Sequence, residues 1–441
     1  MAISPRAPLA GWLSVTVACA CLPALASASE VPDAAATDPV ALGWMVGTPP
    51  PADRTIRVAD GSHYRFPQLR WSLSHWRELF PTRLVSRGTG PVSPLPRAER
   101  EADLDGLTFT PIGGTETITW SESLAANYTD GIVVLHDGRI VYERYSGALG
   151  EAGPHIAFSV TKSFVGTLAA MLVAEGRLDR GAPVTKYVPE LAGSAFGDAT
   201  VEQVLDMTTA LDYSEDYTDP RARFVGYARA AGMLPRPPGD TGPTTILDFA
   251  KAIAKNGEHG KEFHYSSPNT DVAGWLVARV SGQPVDQVLE ERIWRRIGAE
   301  GDAYFALDSR GTPLAAGGFN ATLRDMARFG EMMRLGGRWN GQQVVPEAVV
   351  GQIRRGASRE AFVYGGYPTL PGWSYNDQWW ISHDDHGAWM ARGIHGQAIY
   401  IDPKARMVIA RFASHPKASN VHLDPISLPS YRAVADHLLR Q

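Results

Sequence analysis

Apolar residues are spaced in two ways along this chain, and the switch between them outlines its elements. Residues 131–136 and 139–145 are β-branched and aromatic runs on either side of Asp137-Gly138, a two-residue hairpin signal. A second pair of runs, residues 397–401 and 407–413, flanks Asp402-Pro403-Lys404-Ala405 and predicts another hairpin. Between the hairpins the period becomes helical. Residues 161–174 carry small and apolar side chains nearly all round, as a helix buried against a sheet would, and Glu175-Gly176 closes the run. Further helices are predicted over residues 201–207, 245–256, 269–280, 284–297 and 322–335. Strands from both ends of the chain with a helical insertion between them predict an α/β (α+β) fold. In this layout an α/β subdomain covers about 54–185 and 331–441, and a mostly helical subdomain covers about 186–330.

The first residues follow another pattern. Arg6 precedes an apolar stretch over residues 9–25 that ends at Ala26-Ser27-Ala28, a small-x-small cleavage pattern. Residues 1–28 therefore read as a secretory signal peptide cut after Ala28, which predicts a secreted or periplasmic protein. The stretch is shorter than the roughly 20 residues a spanning helix needs, so stable membrane insertion is not expected. Cys19 and Cys21, the only cysteines, lie inside it. Cleavage would leave no thiol for a disulfide or a Cys-based zinc site. Lipoprotein anchoring at Cys19 or Cys21 fits poorly, because Thr16-Val17-Ala18 departs from the usual pattern before such a cysteine. Residues 29–53, rich in Ala, Pro and Asp, read as a linker, and residues 54–441 as one extended catalytic unit.

Composition narrows the partners. The 441 residues are 44% hydrophobic and 20% charged, with a formal net charge of −5. No clustered basic excess is present, which argues against a nucleic-acid partner.

One stretch carries candidate chemistry. In Phe158-Ser159-Val160-Thr161-Lys162, the serine stands at the start of the buried helix and the lysine three residues on, along the same helical face. A serine there has the positive end of the helix dipole and free backbone N–H groups nearby, which favour an oxyanion. An ordinary lysine, with a pKa near 10.4, is a poor base at neutral pH, but desolvation lowers it. Ser159 is thus either a nucleophile with Lys162 as its base, or a helix cap followed by an ion-paired lysine. Ser414-His415-Pro416-Lys417 has the same spacing, but Pro416 forbids the helix that would align the two groups.

Three more segments accompany Ser159-x-x-Lys162: Tyr265-Ser266-Ser267, Gly317-Gly318-Phe319-Asn320-Ala321-Thr322, and Gly393-Ile394-His395-Gly396-Gln397 before a predicted strand. Together they resemble the motifs of serine hydrolases related to class C β-lactamases and penicillin-binding proteins. Val204-Leu205-Asp206-Met207, the acidic loop Ser214-Glu215-Asp216-Tyr217-Thr218-Asp219 and Asn269-Thr270-Asp271 are similar, within that group, to the 6-aminohexanoate-dimer (nylon-oligomer) hydrolases and related carboxylesterases. The resemblance implies the β-lactamase/transpeptidase-like fold, an antiparallel sheet flanked by helices. It also implies hydrolysis of a small-molecule ester or linear amide through an acyl-serine, with no cofactor.

The resemblance further implies roles for Ser159, Lys162 and Tyr265 in catalysis. Backbone N–H groups of Ser159 and Ile394 would form the oxyanion hole, and Tyr217, Ser267 and His395 would meet the substrate. Where β-lactamases have Lys-Thr-Gly, this chain has Gly393-Ile394-His395, so the cation that would hold a β-lactam carboxylate is missing. A β-lactamase or D-amino-acid peptidase is the alternative enzyme, and an inactive cell-wall-binding relative the alternative of another class. His383-Asp384-Asp385-His386 lacks a third ligand at a recognised spacing, so no metal site is expected. Gly-x-Ser-x-Gly, the sign of a Ser-His-Asp hydrolase, does not occur. Trp373, Trp379, Trp380 and Trp389 read as core, with Trp379 or Trp380 available to line an acyl pocket.

Overall fold

Seven antiparallel strands form the main sheet, in the order Ser374–Asn376, Trp379–Ile381, Trp389–Gly393, Gln397–Asp402, Met407–Ala413, Thr129–His136 and Arg139–Tyr145. Strands from the two halves of the chain therefore meet within the sheet, where Met407–Ala413 pairs with Thr129–His136. Both predicted hairpins are present. His136 pairs with Arg139 across Asp137 and Gly138, whose φ values of 49° and 72° are the left-handed pair that a two-residue turn requires.

The strands of this sheet are buried on both faces, which is why they read as continuous apolar runs. Val133, Leu135, Ile399, Val408 and Ala410 face one core, shared with the helices Val160–Ala174 and Leu323–Arg334. Ile132, Val134, Ala398, Tyr400 and Ile409 face another, closed by Tyr431, Val434 and Leu438 of the C-terminal helix Asp424–Leu438. Helix Val160–Ala174 is buried from Val160 through Leu172 and packs against helix Ser267–Ser281 as well as the sheet. It can pack so closely because residue 166 is glycine: a Cβ there would lie 2.1 Å from the Asp377 carbonyl oxygen.

A second sheet, of four antiparallel strands, runs in the order Thr82–Val85, Ala303–Ala306, Phe319–Thr322 and Pro154–Ile156. Two of these strands, and most of helix Leu323–Arg334, fall inside the stretch expected to be mostly helical. The chain thus returns to the sheets well before residue 331. Short strands such as Phe319–Thr322 carry too few residues for a period to be read.

This computed structural model describes residues 32–441, so the expected signal peptide with Cys19 and Cys21 lies outside them. Asp33–Gln441 form one unit. Residues 33–53 differ from a free linker: Thr37 is buried, and the Arg70 guanidinium donates to Ala34 O and to Thr37 Oγ1. Composition could not reveal these contacts, because Arg70, which makes them, lies outside the segment. Among the described residues no helix is long and apolar enough to cross a membrane.

Candidate active site

Strand Pro154–Ile156 leads directly to Ser159. Ala157 N–H donates to Phe319 O at 2.8 Å, and Phe158 then takes φ +43°, a left-handed conformation that a bulky side chain seldom adopts. The rings of Tyr64, Trp76 and His395, at centroid distances of 6.5, 5.8 and 5.6 Å, hold Phe158 in this turn. Ser159 follows as the N-cap residue of helix Val160–Ala174, yet its hydroxyl makes no capping hydrogen bond. It faces the phenol of Tyr265 across one cavity instead. The Ser159 side chain therefore does not cap the helix it precedes.

Lys162 lies one helical turn inward, 1% exposed. Its Nζ donates to Ser267 Oγ at 3.1 Å and Ala316 O at 2.6 Å, and stands 5.3 Å from the centroid of the Tyr265 ring. Burial lowers its pKa to about 8, opposed by the carboxylates of Glu215 and Asp271. At about 1.4 kcal/mol per pH unit, that shift costs roughly 3 kcal/mol of folding stability. Burial also pushes the Tyr265 phenol well above its usual 10, and the neighbouring Ser159 hydroxyl opposes this. The lysine is therefore the group that loses its proton most readily in this pair.

Ser267, at the start of helix Ser267–Ser281, connects the lysine to an acid that motif reading did not single out. Its Oγ donates to Glu215 Oε1 at 2.6 Å and its N–H to Glu215 Oε2 at 2.9 Å. Tyr217 Oη donates to the same Oε1 at 3.1 Å. Behind the lysine, Asp271 accepts from Tyr227 Oη at 2.7 Å and from Ala316 N at 3.1 Å, and burial pushes its carboxyl up to about 7. Glu215 and Asp271 both lie within quoted motifs, but only the fold brings them to either side of one amine.

The strand motif closes the site. A Cβ on Gly393 would lie 2.6 Å from Ala157 O, so glycine lets this strand approach the turn before Ser159. Ile394 follows, and neither its N–H nor that of Ser159 has a hydrogen-bond partner among the described residues. His395 takes φ +62°, and its Nδ1 lies 2.6 Å from His415 O. Burial lowers its pKa to about 4, so the imidazole is neutral at pH 7.

Ser159, Glu215, Tyr217, Tyr265 and Ile394 line one cavity of about 410 Å³ together with Arg392. Lys162 and Ser267 stand behind its wall, and His395 lines a neighbouring cavity instead. Arg392 was not anticipated. It lies over the Trp380 ring at 4.9 Å and pairs with Asp424. Trp380 itself lines the cavity, whereas Trp379 is fully buried against Trp389.

The other candidates are structural. Ser414 Oγ donates to Asp130 Oδ1 and accepts from Arg70 Nε, while Lys417 is exposed. His386 Nδ1 pairs with Asp402 at 2.7 Å and His383 Nε2 with Ser374 Oγ at 2.7 Å. Among the described residues no group of three or more His, Cys, Asp or Glu could hold a metal.

Comparison with known proteins identifies the family. The chain is 37% identical over 357 residues to 6-aminohexanoate-dimer hydrolase of Paenarthrobacter ureafaciens, covering 81% of this chain and 88% of that protein. A solved Bacillus anthracis structure assigned as a 6-aminohexanoate-dimer hydrolase superposes with a TM-score of 0.80 at 32% identity, over 89% of this chain and 99% of the other. EstCE1, a hydrolase with promiscuous acyltransferase activity, shares the fold at a TM-score of 0.55 and 16% identity, over 71% of this chain and 96% of its own. The β-lactamase family model matches residues 126–426, which hold every candidate catalytic residue, and the chain belongs to that family as a serine hydrolase similar to 6-aminohexanoate-dimer hydrolase.

Proposed function

We propose that the protein cleaves carboxylic ester or linear amide bonds through an acyl intermediate on Ser159. The observation that carries this reading is the Ser159 hydroxyl beside the Tyr265 phenol on one cavity wall, with the Lys162 amine buried behind and donating to Ser267, its pKa lowered to about 8. Ser159 Oγ attacks the carbonyl carbon, and its proton passes into the Tyr265 and Lys162 pair, which titrates as a unit. Charge moving onto the carbonyl oxygen is met by the Ser159 and Ile394 N–H groups, each such donor contributing typically about 10²–10³ in rate. The tetrahedral adduct collapses as the alcohol or amine departs with a proton from Tyr265. Water then attacks the acyl-serine by the same route and releases the acid.

Two features favour an ester or linear amide over a β-lactam. The family's lysine position is filled by the Gly393-Ile394-His395 segment, and His395 is neutral at pH 7. Identity to 6-aminohexanoate-dimer hydrolase covers most of both chains. Export through the leader ending at Ala28 is part of the same proposal, resting on the sequence pattern alone. A panel of p-nitrophenyl esters, linear amides, D-peptides and a chromogenic cephalosporin, with Ser159→Ala as control, tests the activity. Turnover of esters or linear amides that disappears in Ser159→Ala supports it; fast cephalosporin turnover without esterase activity overturns it.

A further inference from the structure

Beside the catalytic cavity lies a second of about 580 Å³, and the two share Tyr217, Thr218, Ile394 and Ser419. A carbonyl held at the Ile394 N–H therefore has access to both. The chemistry of the two chambers differs. Ser159, Glu215, Tyr265 and Arg392 line only the first. The second is walled by Tyr64, Phe224, Ala228, Leu234 and Pro416, and among the described residues no Asp or Glu lines it. Its basic groups among the described residues are the buried, neutral His395 and, where the chain is exposed, Lys417 and His422. A positive charge entering this chamber would lose water and meet no carboxylate, only a like charge.

The position of Tyr265 decides which half of a substrate goes where. In the reaction proposed above, the leaving group takes its proton from Tyr265 and so departs on the polar side. The acyl half must extend the other way, past Ile394.

We infer that the second chamber is an acyl-binding site for an uncharged, unbranched aliphatic chain, and that it selects against acyl chains ending in an ammonium. This assignment rests on the acyl-serine reading and deepens it. Each methylene buried there should raise kcat/KM by about threefold to fourfold until the chamber is filled. The leaving group stays constant in a series of p-nitrophenyl esters, so their chain-length dependence reads the acyl side alone.

The test is kcat/KM for p-nitrophenyl acetate, butyrate, hexanoate and octanoate, with 6-aminohexanoate as the charged match to hexanoate. The expected result is a rise of at least tenfold from acetate to hexanoate, and a loss of at least tenfold from hexanoate to 6-aminohexanoate. Leu234→Trp should bring the octanoate-to-acetate ratio toward one, and Phe224→Ala should move the optimum to a longer chain. Ser159-dependent turnover that is flat with chain length, or equal for hexanoate and 6-aminohexanoate, overturns the acyl-site assignment and leaves the catalytic reading standing. Turnover that survives Ser159→Ala overturns both.

Discussion

Lys162 and Glu215 are joined through one hydroxyl: Ser267 Oγ accepts from the lysine Nζ at 3.1 Å and donates to the glutamate at 2.6 Å. The buried amine is thus neither isolated nor locked in a direct ion pair. A direct pair would hold the lysine protonated, and isolation would depress its pKa further. The intermediate arrangement leaves it titrating close to neutrality, where a general base is most effective.

The pH dependence follows from this placement. With the amine titrating at about 8, kcat/KM for an ester should rise with pH and level off above that value, because the neutral amine is the competent form. In the unfolded chain the same lysine keeps its proton up to its ordinary value of 10.5. Between about 8 and 10.5 the unfolded chain binds more protons, so this group makes folding stability increase with pH across that window. Below it the full cost of roughly 3 kcal/mol applies. Urea midpoints at pH 7.5 and 9.5 should separate in the wild type and converge in Lys162→Met.

Glu215 raises the pKa of Lys162. Glu215→Gln should therefore move the rising limb of the pH profile to lower pH. It should also lower kcat by roughly tenfold, since Ser267 and Tyr217 lose the charged acceptor that orients them. A limb that stays in place, or moves to higher pH, would detach Glu215 from the lysine.

Tyr265→Phe removes the proton donor but little volume. Loss of a general acid typically costs about 10²–10⁴ in rate. The loss should be large for alkyl esters and amides, whose leaving groups need a proton, and smaller for p-nitrophenyl esters, whose leaving group departs as a stable anion. Equal losses on both substrates would assign Tyr265 to positioning.

Gly393→Ala tests the close approach of the strand. The added Cβ would meet Ala157 O at 2.6 Å, and backbone at that range has to shift. Overpacking of this kind costs roughly 1–3 kcal/mol. The shift also carries the Ile394 N–H away from Ser159, so kcat should fall by more than tenfold in protein that still folds. A variant with wild-type kcat would remove Ile394 from the oxyanion site.

Much of this was legible in the chain where the determinants are local. The Asp137-Gly138 turn needs only its own backbone conformations, and the Ser159 to Lys162 spacing needs only a helix, so both could be read from a few residues. Tyr265 was reached through its motif. Glu215 stood in view, two residues before Tyr217, but its bonds to Ser267 cross between distant segments and have no local signature. Arg392 reads as an ordinary strand residue until the fold sets it over Trp380. The second chamber could not be foreseen at all, because Tyr64, the pair Phe224 and Leu234, and Pro416 come from three separate stretches.

The nucleophile itself is the central claim. Incubation with a fluorophosphonate probe, followed by peptide mapping by mass spectrometry, should place a single adduct on Ser159, formed faster above pH 8 than at pH 6. The adduct should be lost in Ser159→Ala and formed far more slowly in Lys162→Met. An adduct on another serine, or an unmodified Ser159 in enzyme that the probe has inactivated, would contradict the account.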